Sequence, residues 1–473
     1  MLAACAVAAW PRALAVAASP TTPAIGDAAP RRLRAAPATV AAAGQTALQA
    51  WAYEASVPGP ELRLRQRQTL DLAFENALPD PSTVHWHGVR VPNAMDGVPH
   101  VTQPPVAPGE EFRYRFALPD AGTYWYHPHW GTPEQVDRGL AGALVIEEDD
   151  PPPVDADVTW VIDDWRLDDA GRIAEDFYND GDAAHAGRLG RVVTINGQLP
   201  ADIVLLAGQR MRLRLVNAAN ARIFALQPDR SAALQSWVVA LDGAPLAAPH
   251  AWREPLLLGP GMRADLMIDA LAAGRVEIVD RFGRDPRPLT KVRVRGRDGV
   301  AKRPLPPPLP PAHRAEPVLE GAREETIVLG GGMMSREGWP RESWAERAAR
   351  RQRQVQGSRE TSPAWTLNGR AHAQHSALHA GAFSVQRGQT VRLRWDNRTA
   401  WWHPMHLHGH HFRVLTRDGQ PVPGRPWHDT LLLAPREQAE IAFVADNPGR
   451  WLIHCHVLEH HAAGMGTLFD VVA

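Results

Sequence analysis

Cysteine is almost missing from this 473-residue chain: Cys5 and Cys455 are the only two. Cys5 lies in an Ala-rich apolar stretch, MLAACAVAAWPRALAVAASP, whose AVA-A before Ser19 reads as a cleavage site. Residues 1–40 are therefore expected to be a leader and disordered N-terminus, although basic residues do not open it. Its removal would leave Cys455 alone, excluding an intrachain disulfide and leaving the thiol free. Leu2-Ala3-Ala4-Cys5 resembles a lipoprotein box with nothing before it, a weaker reading. Later in the chain no uninterrupted apolar run reaches the ~18 residues of a spanning helix, so no transmembrane segment is expected. An excess of either charge is also missing. The net charge of −1 points to neither nucleic acid nor an anionic membrane surface as a partner. Helical periodicity is sparse, and its clearest candidate, residues 342–354, reads as an exposed insertion with a solvated charged face.

Turn formers are abundant, with 43 Pro and 38 Gly to separate short strands. Three segments repeat one pattern, VPGPELRLRQRQTLDLAFEN, INGQLPADIVLLAGQRMRLRLVN and LNGRAHAQHSALHAGAFSVQRGQTVRLRWDN. Each carries a Gln eight residues before an Asn: Gln68 and Asn76, Gln209 and Asn217, Gln389 and Asn397. Apolar and polar residues alternate between them, as in half-buried strands. The expected fold is all-β, in three repeats of roughly 130–150 residues. The expected bounds are 41–152, 153–302 and 319–473, with the Pro-rich run PLPPPLPPAH in a semi-rigid linker at 303–318.

Histidine marks the functional region. HCHVLEHHAAGM supplies His454, Cys455, His456, His460 and Met465, a set that fits a blue-copper site of two His, one Cys and a weak axial Met. Neighbouring side chains of a strand face opposite ways, so Cys455 is expected at one metal and His454 and His456 at another behind it. HWHG adds His85 and His87, YHPH adds His127 and His129, and HPMHLHGHHF adds His403, His406 and His408. One such pair is commonly an ordinary surface or core feature; four, one of them built around the cysteine, are not. A closed four-ligand zinc site would leave most of these residues unused. HWHG aligns with HLHG, and GTYWYHPH with GRWLIHCH, so the first and third repeats carry related sets of four histidines. The first has no thiolate, since Pro128 stands where the third has Cys455. The middle repeat has none of these residues and is expected to bridge the outer two.

In motif order and spacing, residues 57–469 resemble the multicopper oxidases, in their three-domain, laccase-like, bacterial branch. The resemblance implies three cupredoxin-like Greek-key β-barrel domains and four copper ions. It implies a type 1 copper at His403, Cys455 and His460 with Met465 axial, and a type 2 copper at His85 and His406. The type 3 pair would sit at His87, His127 and His456 and at His129, His408 and His454. It further implies single-electron oxidation of a small donor (a phenol, an arylamine or a metal ion) coupled to reduction of dioxygen to water. The electron would enter through an exposed ring edge of His403 or His460 and pass along Cys455 to its two neighbours. A periplasmic or secreted monomer is expected. Dioxygen reduction consumes protons, and Asp96 matches a family carboxylate near the type 2 copper, or else is the turn residue of its Asp-Gly pair. A second family carboxylate is replaced by His461, which could relay protons itself, with Glu459 a weaker candidate.

Three functions are weighed. A laccase-like oxidase could use Trp401 and Trp402 as an aromatic wall, though both could equally be core packing. A Cu(I) or Mn(II) metallo-oxidase is the alternative, but the chain has only nine Met, and Met333-Met334 read better as a plain surface loop. A non-enzymatic cupredoxin scaffold would have eroded ligands, and none is missing. His410, His411 and His428 are expected to be structural.

Overall fold

The computed structural model describes residues 30–296, 303–335, 352, 361–372 and 381–473. Residues 1–29 of the expected leader and nearly all of the expected helix at 342–354 lie outside the described residues. The described chain is built almost wholly of β-strands, which form three pairs of sheets.

The Gln and Asn repeats explain why three segments fold alike. Each segment ends in an eight-residue strand or its equivalent: Thr69–Asn76, Arg210–Asn217 and Thr390–Asn397. The Gln before the strand closes the entering turn, its Oε1 accepting the amide of Arg65, Leu206 or Gln386 at 2.7–3.0 Å. The terminal Asn is buried in all three. Its Nδ2 donates to two carbonyls: Asp80 and Val106, Arg222 and Leu258, or Trp401 and Ala434. Its Oδ1 accepts an amide two residues on, from Leu78, Ala219 or Thr399. A buried amide that meets three backbone groups satisfies an irregular loop that no ladder could serve.

Each of these strands runs parallel to the first long strand of its unit, Arg31–Ala42, Ala156–Trp165 or Arg323–Gly331. The strand Arg31–Ala42 corrects the expected N-terminal boundary. Residues 31–40 pair in register with residues 72–76 on one side and 48–53 on the other, and Leu33 and Ala35 are fully buried. Ala-rich composition masked an alternation whose inward side is small.

The second sheets of the first and third units hold the site. In the first unit its strands run Gly59–Arg65, Gly142–Glu147, Gly122–His127, His85–His87. In the third they run Phe383–Gln386, Gly466–Val472, Gly449–Cys455, His403–Leu407, Thr430–Leu433. The middle unit keeps the order but pairs Leu226 with Asp280 where the others pair His85 with His127 and His406 with His454. Each unit has its own core: around Trp86 and Phe116, around Leu213 and Trp252, and around Trp395 and Trp451.

The middle unit also ties the outer two together. Arg263 is fully buried; it donates Nε to the Thr123 carbonyl of the first unit and both Nη atoms to Asp429 of the third. The expected linker carries no strand or helix, and it is bonded along its length. Pro304 accepts from Arg210, the His313 carbonyl from Arg90, and Glu316 pairs with Arg413.

Candidate metal centre

Two antiparallel strand pairs bring eight histidines together. His85–His87 pairs antiparallel with Gly122–His127, placing His85 opposite His127; His403–Leu407 pairs with Gly449–Cys455, placing His406 opposite His454. The two pairs face each other with reciprocal stacking. His87 lies on His406 with ring centroids 3.8 Å apart, and His85 on His408 at 4.0 Å. The duplicated sequence thus becomes an approximate two-fold about the cluster.

All eight rings are at most 2% exposed, and burial pushes most of them far below the ordinary imidazole pKa, His406 to about 3. The shifted rings are therefore neutral and keep a lone pair at pH 7. Carbonyls fix which nitrogen carries the proton. The Nδ1 atoms of His85, His406, His127 and His454 bond the carbonyls of Asp96, Asp429, Pro128 and Cys455 at 2.8–2.9 Å. His87 is turned the other way, its Nε2 3.0 Å from Thr430 Oγ1. What remains is a set of buried nitrogens without hydrogen-bond partners: Nε2 of His85, His127, His129 and His406, Nδ1 of His87 and both nitrogens of His456. The Nε2 atoms of His408 and His454 lie 3.1 Å apart. So many orphaned lone pairs converging in a dry site would be costly without a cation. Ligand atoms lie close enough for a metal in the groups His129, His408, His454 and His85, His406, His408, among others. The residues fit copper.

Cys455 faces the opposite way, as strand alternation requires. Its Sγ is 3.5 Å from His403 Nδ1 and 3.6 Å from His460 Nδ1, and those two nitrogens are 3.2 Å apart. Burial pushes the Cys455 thiol up, so a soft cation is what would hold it as thiolate. Met465 is fully buried, with its amide on the His460 carbonyl and its own carbonyl on the Cys455 amide, each at 3.0 Å. Trp365 packs against both His403 and His460.

One expectation fails at this point. Neither His403 nor His460 offers a ring edge to solvent: they are 0% and 1% exposed. Thr399 Oγ1 meets His403 Nε2 at 2.8 Å, and the His185 carbonyl meets His460 Nε2 at 2.7 Å. The covering helix Asp180–Ala184 belongs to the middle unit and is held down by Trp365 Nε1 on the Ala183 carbonyl. Local motifs cannot reveal a cover contributed by a segment more than 200 residues away.

Asp96 is 1% exposed; its Oδ2 lies 2.9 Å from His408 Nδ1, and its carbonyl holds His85. Asp429, which motif reading missed, is its counterpart across the two-fold. Its carbonyl holds His406, and its Oδ1 lies 3.3 Å from His87 Nε2. Burial opposes its charge, but Arg263, His411 and His87 outweigh burial and hold the carboxyl well below the usual range. The signal was present in WHDT, had the duplication been extended past the histidines. His461 packs against His454 and His129, with centroids 4.4 and 5.4 Å away. Glu459 accepts from Asn220 Nδ2 at 2.8 Å, and burial pushes it up to about 7. Of the three histidines expected to be structural, His411 reaches Asp429, His428 bonds Asp242, and His410 bonds the His408 carbonyl.

Sequence comparison decides the family. Residues 34–151 and 348–473 each match a multicopper oxidase family model. The multicopper oxidase MmcO of Mycobacterium tuberculosis is 30% identical over 464 residues, spanning 89% of this chain and 82% of that protein. The chain belongs to the multicopper oxidase family. Among solved structures, the multi-copper oxidase of Pseudomonas thermotolerans is 32% identical, with TM-score 0.81 over 94% of this chain and 99% of that one. A multicopper oxidase of Campylobacter jejuni described as a metallo-oxidase is 26% identical, with TM-score 0.77 over 93% of this chain and 91% of that one. As a multicopper oxidase, this chain is a three-domain, copper-binding oxidoreductase of the cupredoxin fold. No described helix is long and apolar enough to cross a membrane.

Proposed function

We propose that this multicopper oxidase takes single electrons from phenols or aromatic amines and delivers them to dioxygen, giving water. The observation that carries the reading is the HCH tripeptide. Cys455 lies with His403 and His460, while the flanking His454 and His456 lie among the eight clustered rings. One backbone therefore joins a donor-side centre to a dioxygen-side centre. Four coppers are proposed: a type 1 ion at His403, Cys455, His460 and Met465, and a type 2 ion at His85 and His406. A type 3 pair would be held by His87, His127 and His456 and by His129, His408 and His454. When bound, copper supplies the one-electron acceptor and the store of electrons that dioxygen needs. The bounds 41–152, 153–302 and 319–473 are kept for the three domains, with the first extended back to residue 31. Export to the periplasm or beyond and a monomeric state complete the proposal.

The chain's own residues do the positioning. Carbonyls and the Asp96 carboxylate hold the protons of His85, His127, His406, His408 and His454 on the nitrogens away from the cluster, and burial excludes bulk water. Asp96 is the proposed proton donor on one side, and His461 stands beside the rings on the other. Removing a carboxylate that orients a ligand typically costs about 10–100-fold in metal affinity or activity. Asp96→Ala is expected to lose that much turnover, with copper content measured in parallel to separate affinity from proton delivery.

Oxygen uptake with a phenolic donor tests the main reading. Each phenol gives up one electron and one proton, so four donors convert one dioxygen to two waters, and no hydrogen peroxide should accumulate. A metallo-oxidase reading is favoured by one feature, the part-exposed Met333, whose amide bonds the Ala184 carbonyl beside the covered His460. Strong Cu(I) turnover with negligible phenol oxidation would decide for it.

A further inference from the structure

A cavity of about 700 Å³ opens between the middle and third units. Its walls include Ile223, Leu257, Phe282, Trp401, Trp402 and Val457. Two equivalent Asn side chains set its shape, since Asn217 holds the Arg222 carbonyl and Asn397 the Trp401 carbonyl. Trp402 and Phe282 meet edge to face with centroids 5.8 Å apart, a geometry that leaves an apolar wall for a flat ring. Trp401 and Trp402 thus pack against the cores and line the cavity as well. The cavity touches the donor-side centre at two points. Trp402 directly precedes His403, and Val457 directly follows the HCH tripeptide that carries Cys455.

Among the described residues, the charged side chains lining this cavity are both arginines, Arg222 and Arg281, and no acid lines it. Arg222 is already committed: Nε donates to the buried Asp164 at 2.9 Å and Nη2 to the Gly190 carbonyl at 2.6 Å. Arg281 is different. Among the described residues its one carboxylate neighbour, Asp229, is 3.6 Å away, and both side chains are partly exposed, a pairing that contributes little in water. The cavity therefore combines aromatic walls with a weakly compensated guanidinium at its edge.

We propose that this cavity binds the reducing substrate and selects aromatic donors that carry an anionic group, such as phenolic carboxylates, with Arg281 pairing the anion. The assignment rests on the oxidase reading above and adds a substrate class to it. The ring would lie against Trp402 and Phe282, and the carboxylate would replace Asp229 as the partner of Arg281, which can meet it with two parallel N–H groups. The donor's phenol would give up one electron, bound in the end for dioxygen, and one proton to solvent, leaving a phenoxyl radical with its carboxylate unchanged; His403, Cys455 and His460 would hold the copper that supplies the one-electron acceptor.

The test compares 4-hydroxy-3-methoxybenzoate with its methyl ester, using the copper-loaded full chain and oxygen uptake. The acid should be the better donor. Arg281→Gln should lower kcat/KM for the acid about tenfold, mainly through KM, and change the ester little. Arg281→Glu should invert the preference. A second readout needs no turnover: calorimetric binding of 4-methoxybenzoate to the same protein should weaken about tenfold in Arg281→Gln. Equal use of acid and ester by the parent protein would overturn the proposal, as would an equal loss for both donors in Arg281→Gln. Arg281-dependent binding of 4-methoxybenzoate without oxygen uptake from either donor would support the cavity assignment and count against the oxidase reading.

Discussion

Asp429→Ala is expected to cost about 3–5 kcal/mol of stability, the range for removing one partner of a buried ion pair. Arg263 and Asp429 are both fully buried, and their two bonds of 2.7 and 2.5 Å join the middle unit to the third. Alanine would leave the guanidinium with Asp242 at 3.4 Å as its remaining carboxylate, in a site that water does not reach. The cluster should suffer as well, since Asp429 Oδ1 also accepts from Thr430 Oγ1 and lies near His87 and His406. Urea unfolding followed by tryptophan fluorescence measures the first effect and copper content the second. A double variant, Asp429→Leu with Arg263→Met, separates them. Replacing both charges by apolar groups can restore stability, while copper content should stay low because His87 and His411 still lack the carboxylate beside them. A loss below about 1 kcal/mol in Asp429→Ala would mean that the pair behaves like a surface contact.

Cys455→Ser is expected to abolish turnover and the intense blue absorption together while the protein stays folded. Cys455 is 0% exposed in a strand bonded on both sides, and serine nearly preserves its volume. The hydroxyl cannot replace a soft thiolate, so copper should fall by one ion per chain. The histidine cluster does not contain the sulfur, so its ions should remain. Survival of the blue band would show that the cysteine is not the ligand of that centre.

These two residues differ in how visible they are in the sequence. Cys455 is conspicuous, because cysteine is scarce, histidines flank it, and strand alternation alone sends sulfur and imidazoles to opposite faces. The eight cluster histidines are legible for the same reason: each His-x-His pair puts two rings on one face. The Gln and Asn repeat is legible too, because one buried amide does one job three times. Arg31–Ala42 is less so, since the inward Ala35 and Ala42 bury little side chain and the surrounding alanines resemble a leader.

Asp429, Arg263, the cover over His460 and the donor cavity are decided elsewhere. Each depends on groups from different units: Arg263 meets Asp429 across 166 positions, and His185 meets His460 across 275. Ligand identity, metal class and the three-fold repeat are properties of short segments, and local alternation and composition determine them. The burial of the electron entry, the counter-charge under the cluster and the arginines of the cavity arise only where units pack together. There the energetics depend on what is removed from water, and a linear motif carries no record of that.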